Sequence, residues 1–226
     1  MEKKENKGGK KKSILMILLA FGPAILLFLV SLGKCSNNYQ QLPVFSEIPS
    51  YKFIGANGKE ITEKTQAGYI TIFTTIQVSC PTSCAIDLFK FNMGLYQEYR
   101  KDQKEFKDVK ILSIVTDEQG NPVDNIDEII YTLSDMVVGY DSTIWNLVTG
   151  DPAQVYNVEN DKGVNLYMQE NQEAFAQKPY LSALLLADKK NQLRYVGLGN
   201  QEGYIRDFKQ HIALLRQEYK KQNEKK

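Results

Sequence analysis

The stretch that decides the fold runs from Tyr69 to Cys84 and reads YITIFTTIQVSCPTSC. Its first seven residues, Tyr69–Thr75, are β-branched or aromatic, which favours a buried strand. A short loop leads to Cys80-Pro81-Thr82-Ser83-Cys84, and a helix is predicted from about Thr82 to Lys101. One apolar stripe supports that helix through Leu88, Phe91, Leu95 and Tyr99. The stretch therefore predicts a strand, a cysteine-bearing turn and a helix in direct succession.

The flanking sequence alternates between strand and helix patterns. Strands are predicted at 51–54 and 59–61 around an Ala-Asn-Gly turn, and at 109–115, 145–148, 181–187 and 193–197. Helices are predicted at 125–136, after Asp151-Pro152, and at 202–222. This alternation indicates an α/β domain with a central mixed sheet flanked by helices. Because a cysteine motif sits at the first β–α turn, the arrangement is typical of a thioredoxin-like fold.

Two cysteines supply the chemistry of this turn. Pro81 suits the first position of a helix, which makes Cys80 the capping residue. A thiolate there faces unpaired backbone N–H groups and the positive end of the helix dipole, so we expect the pKa of Cys80 to fall. Cys84 lies one turn further along the helix. Cys80 is therefore predicted to be the more exposed and more reactive sulfur.

The spacing of Cys80 and Cys84 leaves several uses of the pair open. On a helix their Cβ atoms lie about 5–6 Å apart, against roughly 3.5–4.5 Å in a disulfide. A small distortion of the first turn closes a redox disulfide, while the relaxed spacing suits two thiolates holding a soft ion such as Cu(I). Two cysteines do not complete a tetrahedral zinc site. A purely structural disulfide is disfavoured, since so short a loop contributes little entropic stabilisation.

The N-terminal sequence predicts a membrane anchor. Ser13–Leu32 is free of charged residues for twenty positions, which as a helix spans about 30 Å. Six Lys precede this span and Lys34 follows it, so the positive-inside rule places residues 1–12 in the cytoplasm and residues 35–226 outside it. A cleaved signal peptide is the alternative, which the length of the span disfavours. Cys35 follows a Lys and so does not fit a lipoprotein site; we interpret it as a free thiol.

The charge distribution and the single His of the chain exclude several classes of function. The chain has 28 Lys+Arg, 27 Asp+Glu, one His and three Cys among 226 residues. The first 34 residues hold seven Lys and two Glu, so the remainder is mildly acidic and no nucleic-acid partner is expected. A single His excludes a multi-histidine active site. The predicted organisation is a basic tail at 1–12, a transmembrane helix at 13–32, a linker at 33–50 and a thioredoxin-like domain at 51–222.

Several features of the chain resemble the Sco/SenC family, and apart from the N-terminal anchor the resemblance covers roughly residues 50–220. They are the anchor with the hairpin YKFIGANGKEIT at 51–62, the strand with CPTSC at 69–84, and two later motifs, SIVTD at 113–117 and WNLVTGDP at 145–152. The resemblance implies a membrane-anchored thioredoxin-like protein that helps to assemble the copper centre of cytochrome c oxidase. It also implies that Cys80 and Cys84 bind Cu(I) and that the oxidase copper-binding subunit is the partner.

One position departs from that family. Its copper site is completed by a His before the late strand, and Leu181 stands at the matching place here. His211 lies within the predicted C-terminal helix beside its apolar face, where a packing or surface role is expected. Met168 carries a thioether, which is a copper ligand in some proteins, but we interpret it as an ordinary loop residue. Copper binding through three ligands is therefore in question, whereas the redox chemistry of the two cysteines is intact.

Two functions follow for a single-pass protein of the bacterial inner membrane with its domain in the periplasm. One is a Sco-type protein that handles thiols, Cu(I) or both during assembly of the oxidase copper centre. The other is a general thiol–disulfide oxidoreductase acting on another extracytoplasmic thiol protein, in which Cys80 attacks and Cys84 resolves. A peroxide-reducing enzyme is less favoured, because no Arg lies close in sequence to Cys80.

Overall fold

The computed structural model describes residues 21–23, 25–28, 41–79, 82–159, 180 and 183–224, with the main chain alone at 82–86. The chain divides into two units, Met1–Gln40 and Gln41–Lys226. In the first, the described residues 21–23 and 25–28 are helical. No helix among the described residues has the length and apolar character needed to span a bilayer. The rest of the predicted anchor lies outside the described residues.

The second unit contains eight strands and six α-helices within its described residues. The strands are β1 (Ser46–Glu47), β2 (Lys52–Gly55), β3 (Glu60–Thr62), β4 (Ile70–Gln77), β5 (Val109–Thr116), β6 (Trp145–Thr149), β7 (Ala183–Ala187) and β8 (Gln192–Leu198). The helices are α1 (Glu63–Gln66), α2 (Thr82–Phe91), α3 (Gln97–Lys101), α4 (Asp127–Met136), α5 (Ala153–Tyr156) and α6 (Glu202–Glu224), with a π-helical turn at Asn92–Tyr96 between α2 and α3.

All eight strands form one mixed sheet in the order β1-β8-β7-β4-β5-β6-β2-β3. The strands β4, β5 and β6 are parallel, and β7 joins β4 in the antiparallel sense. Every residue of β4 is buried, as expected for a central strand covered on both faces. The α/β prediction with a central mixed sheet is confirmed.

The hydrophobic core occupies both faces of this sheet. On one face Phe91, Leu95 and Leu133 pack with Ile205 and Phe208 of α6. On the other face lies a second cluster that includes Phe53, Phe73, Ile114 and Tyr156. The strict alternation of side chains along β4 and β5 separates these clusters. The apolar stripe predicted for residues 82–101 is therefore buried at Phe91, Leu95 and Tyr99 and half-buried at Leu88, and α6 packs on the same side of the sheet.

The predicted helix 82–101 contains one departure from α-helical geometry. A π-helical turn at Asn92–Tyr96 inserts between α2 and α3. A Cβ on Gly94 would come within 2.5 Å of Ile205, so only glycine lets this turn approach α6 so closely. The side chain of Gln97 donates to Asn92 Oδ1 at 3.0 Å and to the carbonyl of Val138 at 3.1 Å. Local propensity does not reveal this turn, because tertiary contacts stabilise it.

Residues 41–50, which the sequence analysis assigned to the linker, pack onto the domain. Arg194 on β8 donates from Nε to the carbonyl of Pro43 at 3.1 Å and from Nη2 to the carbonyl of Leu42 at 2.8 Å. Its guanidinium also pairs with Asp188 at 2.7 Å and with Glu218 at 2.8 Å. These three charged side chains are nearly inaccessible to solvent. The buried cluster therefore attaches the start of the domain to β8 and α6.

Candidate thiol-redox site

The cysteine motif lies where the central strand passes into a helix. The strand β4 ends at Gln77 and α2 begins at Thr82, so the predicted strand, turn and helix follow one another as expected. Cys80 and Pro81 lie outside the described residues. Cys84 lies in the first turn of α2, where the main chain is described. The redox and copper-binding roles assigned to Cys80 and Cys84 stay predictions.

The helical periodicity of α2 relates residue 84 to the residues that pack on the sheet. Leu88 is half-buried and Phe91 is buried, so these residues mark the face of α2 that packs on the sheet. Cys84 precedes them by four and seven residues, spacings that share one face of an α-helix. The main chain at residue 84 is therefore in helical phase with Leu88 and Phe91, and the resolving role of Cys84 stays a prediction.

The loop before Cys80 is hydrogen-bonded to the loop after β5. The Val78 N–H donates to the carbonyl of Thr116 at 2.9 Å, which continues the β4–β5 ladder by one residue. The buried side chain of Gln77 donates to the carbonyl of Glu118 at 3.2 Å. The Ser79 hydroxyl donates to Glu118 Oε1 at 2.6 Å. The residues that precede Cys80 are therefore hydrogen-bonded to the end of β5 and to the loop that follows it.

That second loop is organised by Asp117. Its Oδ1 accepts from the N–H groups of Gln119 at 2.9 Å and Asn121 at 2.8 Å, and its Oδ2 accepts from Asn121 Nδ2 at 2.9 Å. These donors, with the Asn121 side chain foremost, hold the pKa of Asp117 below its ordinary value. The Asp of the SIVTD motif thus shapes a turn beside the cysteine loop.

A third segment reaches the same end of β4. The Thr75 hydroxyl donates to the carbonyl of Tyr180 at 2.9 Å. Tyr180 has a φ of 64°, a left-handed conformation that is uncommon for a non-glycine residue. Its ring lies 5.0 Å from that of Tyr156, whose hydroxyl donates to the carbonyl of Ala183 at 2.8 Å. The chain that enters β7 is thereby held beside the end of β4.

A small cavity of about 50 Å³ lies between the end of β4 and α2. Thr75, Asp87, Phe91 and Trp145 contribute to its wall. Trp145 is fully buried, and its Nε1–H donates to Ser113 Oγ at 2.7 Å. Asp87 follows Cys84 by three residues and is half-buried. The cavity thus combines apolar side chains with a carboxylate three residues from Cys84 in the sequence.

Of the other residues weighed for the copper site, His211 is the one that the structure describes. His211 lies in α6, where its Nδ1 is 2.6 Å from the carbonyl of Asp207 and its ring stacks on Tyr195 at 4.0 Å, in keeping with a packing role. Cys35, Met168 and Leu181 lie outside the described residues. Within the described ranges no group of three or more His, Cys, Asp or Glu side chains could hold a metal ion.

Among the comparisons with known proteins, the comparison with solved structures is the one that finds similar proteins. No family model matches the chain, and no curated protein matches it. A SCO1/SenC family lipoprotein from Bacillus anthracis has a TM-score of 0.51 and 18% identity, covering 75% of this chain and 97% of its own. BsSco, a Sco-family cytochrome c oxidase assembly protein with a disulfide switch, has a TM-score of 0.50 and 16% identity, covering 76% and 96%.

The chain has the fold of the Sco/SenC proteins. A putative protein disulfide isomerase from Bacteroides thetaiotaomicron is similar to the same extent, with a TM-score of 0.51, 11% identity and coverage of 77% and 90%. The Sco-type fold thus confirms the thioredoxin-like prediction, and the resemblance drawn from the motifs is confirmed at the level of the fold.

Four residues around the motif were not singled out from the sequence. Thr75, Ser79, Glu118 and Tyr180 hold the segments that meet at the end of β4. The only available signal was the polar end of an otherwise apolar strand, Thr74-Thr75. The Sco-type fold brings Glu118 and Tyr180 to this place through long-range contacts, which local sequence patterns do not encode.

Proposed function

We propose that this chain is a Sco-type thiol-redox protein of the bacterial inner membrane, anchored by residues 13–32 with its domain in the periplasm. The observation that carries the proposal is the place of the C-P-x-x-C motif in the chain, which follows the end of the central strand β4 by two residues and runs into the first turn of α2. A helix N-terminus stabilises a thiolate through its free N–H groups and dipole. The anchor and its orientation rest on the charge pattern of residues 1–34.

The proposed reaction is thiol–disulfide exchange. The Cys80 thiolate attacks one sulfur of a partner disulfide, forms a mixed disulfide and releases the other partner sulfur as a thiolate. The Cys84 thiolate then attacks the Cys80 sulfur and releases the second partner thiolate. The chain is left with a Cys80–Cys84 disulfide, so two electrons have passed to the partner. A dithiol donor of the periplasm would restore the reduced form.

The same reduced pair is suited to carry Cu(I) as cargo. Two thiolates are soft ligands, which select Cu(I) over harder ions. We propose delivery to the copper-binding subunit of cytochrome c oxidase. The motifs at 113–117 and 145–152 support this assignment, as does the fold shared with BsSco, a protein of the Sco family of cytochrome c oxidase assembly proteins.

The second candidate is a general extracytoplasmic thiol–disulfide oxidoreductase that does not bind copper. Leu181 favours it, because an aliphatic side chain at the place of the family His cannot act as a ligand. The fold shared with a putative protein disulfide isomerase is equally compatible with it. Both candidates use the same first step at Cys80, and they differ in whether the reduced pair retains Cu(I).

One experiment on the full-length chain in mild detergent tests both candidates. A Cys35→Ser background removes the third thiol, and Cys84→Ser in that background should trap glutathione on Cys80 after addition of oxidised glutathione. Competition with a Cu(I) chelator then measures copper binding by the reduced pair. Failure to trap glutathione would reject the redox proposal. Equal Cu(I) binding by Cys80→Ser/Cys84→Ser would reject the copper site, and no binding by the reduced parent would favour the second candidate.

A further inference from the structure

The chain that leads to Cys80 is hydrogen-bonded at two points to one residue, Glu118, an arrangement that we call the clamp. The main-chain carbonyl of Glu118 accepts from the side chain of Gln77, which is only 3% exposed. Its carboxylate accepts from the hydroxyl of Ser79 at 2.6 Å. Residues 77 and 79 are thereby tied to one point, and the residue after them is Cys80.

Glu118 itself is held by the turn that follows β5. The Asp117 N–H donates to the carbonyl of Asn121 at 2.9 Å, and the Gly120 N–H donates to the carbonyl of Asp117 at 3.2 Å. The carboxylate of Asp117 accepts three more hydrogen bonds from Gln119 and Asn121. The main chain beside Glu118 is therefore closed into a compact turn, which gives the clamp a fixed base.

The free length of chain at the motif is short. Only Cys80 and Pro81 separate Ser79 from Thr82, the first residue of α2. Ser79 is bonded directly to Cys80, so the position of Ser79 sets where the chain enters the motif. Exchange at sulfur requires a defined approach, and pre-positioning of the attacking atom lowers the barrier.

We propose that Glu118 is a positioning residue for Cys80, acting through the Ser79 hydroxyl. This inference rests on the proposed redox function for its catalytic consequence, while the clamp itself rests on the hydrogen bonds of Gln77, Ser79 and Glu118. The carboxylate serves as a hydrogen-bond acceptor in this role, and its negative charge is not required. An amide at position 118 should therefore substitute for it, and a methyl group should not.

The test compares conservative and disruptive variants of the full-length chain in the Cys35→Ser/Cys84→Ser background. Ser79→Ala and Glu118→Ala should slow trapping of glutathione on Cys80 about fivefold, the effect of one modest hydrogen bond. Ser79→Thr and Glu118→Gln keep the hydroxyl and the acceptor oxygen, and both should react at the parent rate or faster. Glu128→Ala removes an exposed carboxylate from the first turn of α4 and serves as the matched charge control.

Amide hydrogen exchange of a peptide covering residues 76–79 gives a second readout that needs no redox activity. Faster exchange in Ser79→Ala and Glu118→Ala, with parent-like exchange in Glu118→Gln, supports the clamp even if no glutathione is trapped. In that case the proposed function fails and the clamp stands. Unchanged exchange and unchanged trapping in Ser79→Ala would overturn the inference, as would a Glu118→Gln variant that behaves like Glu118→Ala.

Discussion

The hydroxyl of Thr75, near the end of the central strand, donates a 2.9 Å hydrogen bond to the carbonyl of Tyr180, 105 residues further along the chain. Tyr180 adopts its left-handed conformation directly before the segment that enters β7. A non-glycine residue in this region costs free energy and persists only when its surroundings hold it there. The hydrogen bond therefore links Tyr180, which precedes β7 in the chain, to β4, the strand that leads to the cysteine motif.

Replacing Thr75 with Val should lower the free energy of unfolding by about 1–2 kcal/mol, because it leaves the Tyr180 carbonyl without its donor. Denaturant unfolding followed by circular dichroism measures the change. Thr71→Val is the matched control, because it makes the same replacement at another buried threonine of the same strand. Equal stability losses in the two variants would contradict a specific role for the Thr75 bond.

Restoring an imidazole at position 181 should strengthen Cu(I) binding. Leu181→His places a nitrogen ligand at the sequence position of the family His, and imidazole suits copper. We expect the affinity of the reduced chain for Cu(I) to rise about tenfold or more, equivalent to about 1.4 kcal/mol or more. Competition with a Cu(I) chelator measures the gain.

Leu181→Asn is the control for this copper prediction, because it introduces polarity without an imidazole. A second control places Leu181→His in the Cys80→Ser/Cys84→Ser background. The same gain in that background would show that the new His binds copper without the cysteine pair. Parent-like affinity in the single Leu181→His variant would argue against a copper site at this end of β4.

Sequence patterns predicted the elements that build this domain to within a few residues. The hairpin at β2–β3, the buried β4 and the apolar face of α6 each carry a local signal, either alternation or helical periodicity. The strand β1 carries no such signal. It is two residues long and pairs with β8, which is distant in the sequence. The burial of Leu42 and Ile48 that accompanies it is likewise a tertiary effect.

The sequence predicted the site only at positions where the residue type alone indicates a chemical role. Cys80 and Cys84 stand out by type and spacing, and Asp117 by its place in a motif. Ser79 and Glu118 are ordinary surface residue types, and nothing in their local sequence indicates a hydrogen bond across 39 residues. Arg194 is similar, since an Arg in a strand pattern predicts exposure while its burial depends on two distant carboxylates.

The Asp117 turn should weaken in acid. Hydrogen bonds from Asn121 and its neighbours lower the pKa of Asp117 from its ordinary 3.8. A lowered pKa means that this stabilisation is fully present above the ordinary value and is lost as the pH falls through the folded-state value. The amide resonances of Gln119 and Asn121 should therefore titrate with a midpoint below 3.8. Asn121→Ala removes the leading donor and should move that midpoint upward; an unchanged midpoint would contradict the assignment.

The buried Arg194 should be the most sensitive charged position of the domain. Arg194→Met removes the cation that pairs with Asp188 at 2.7 Å and with Glu218 at 2.8 Å, and both carboxylates are nearly inaccessible to solvent. Breaking one side of a buried charge cluster costs about 3–5 kcal/mol. The variant should also expose residues 41–48 to hydrogen exchange, because the carbonyls of Leu42 and Pro43 lose their donor.

Lys52→Met provides the comparison for that variant. Lys52 pairs with Glu60 at 2.5 Å, and the two side chains are 61% and 58% exposed. Ion pairs of this kind contribute about 1 kcal/mol or less, since water screens them. Denaturant unfolding should therefore separate the two variants by at least about 2 kcal/mol. Similar losses would mean that the buried cluster is no stronger than the exposed pair, and that segment 41–48 is attached mainly by the burial of Leu42 and Ile48.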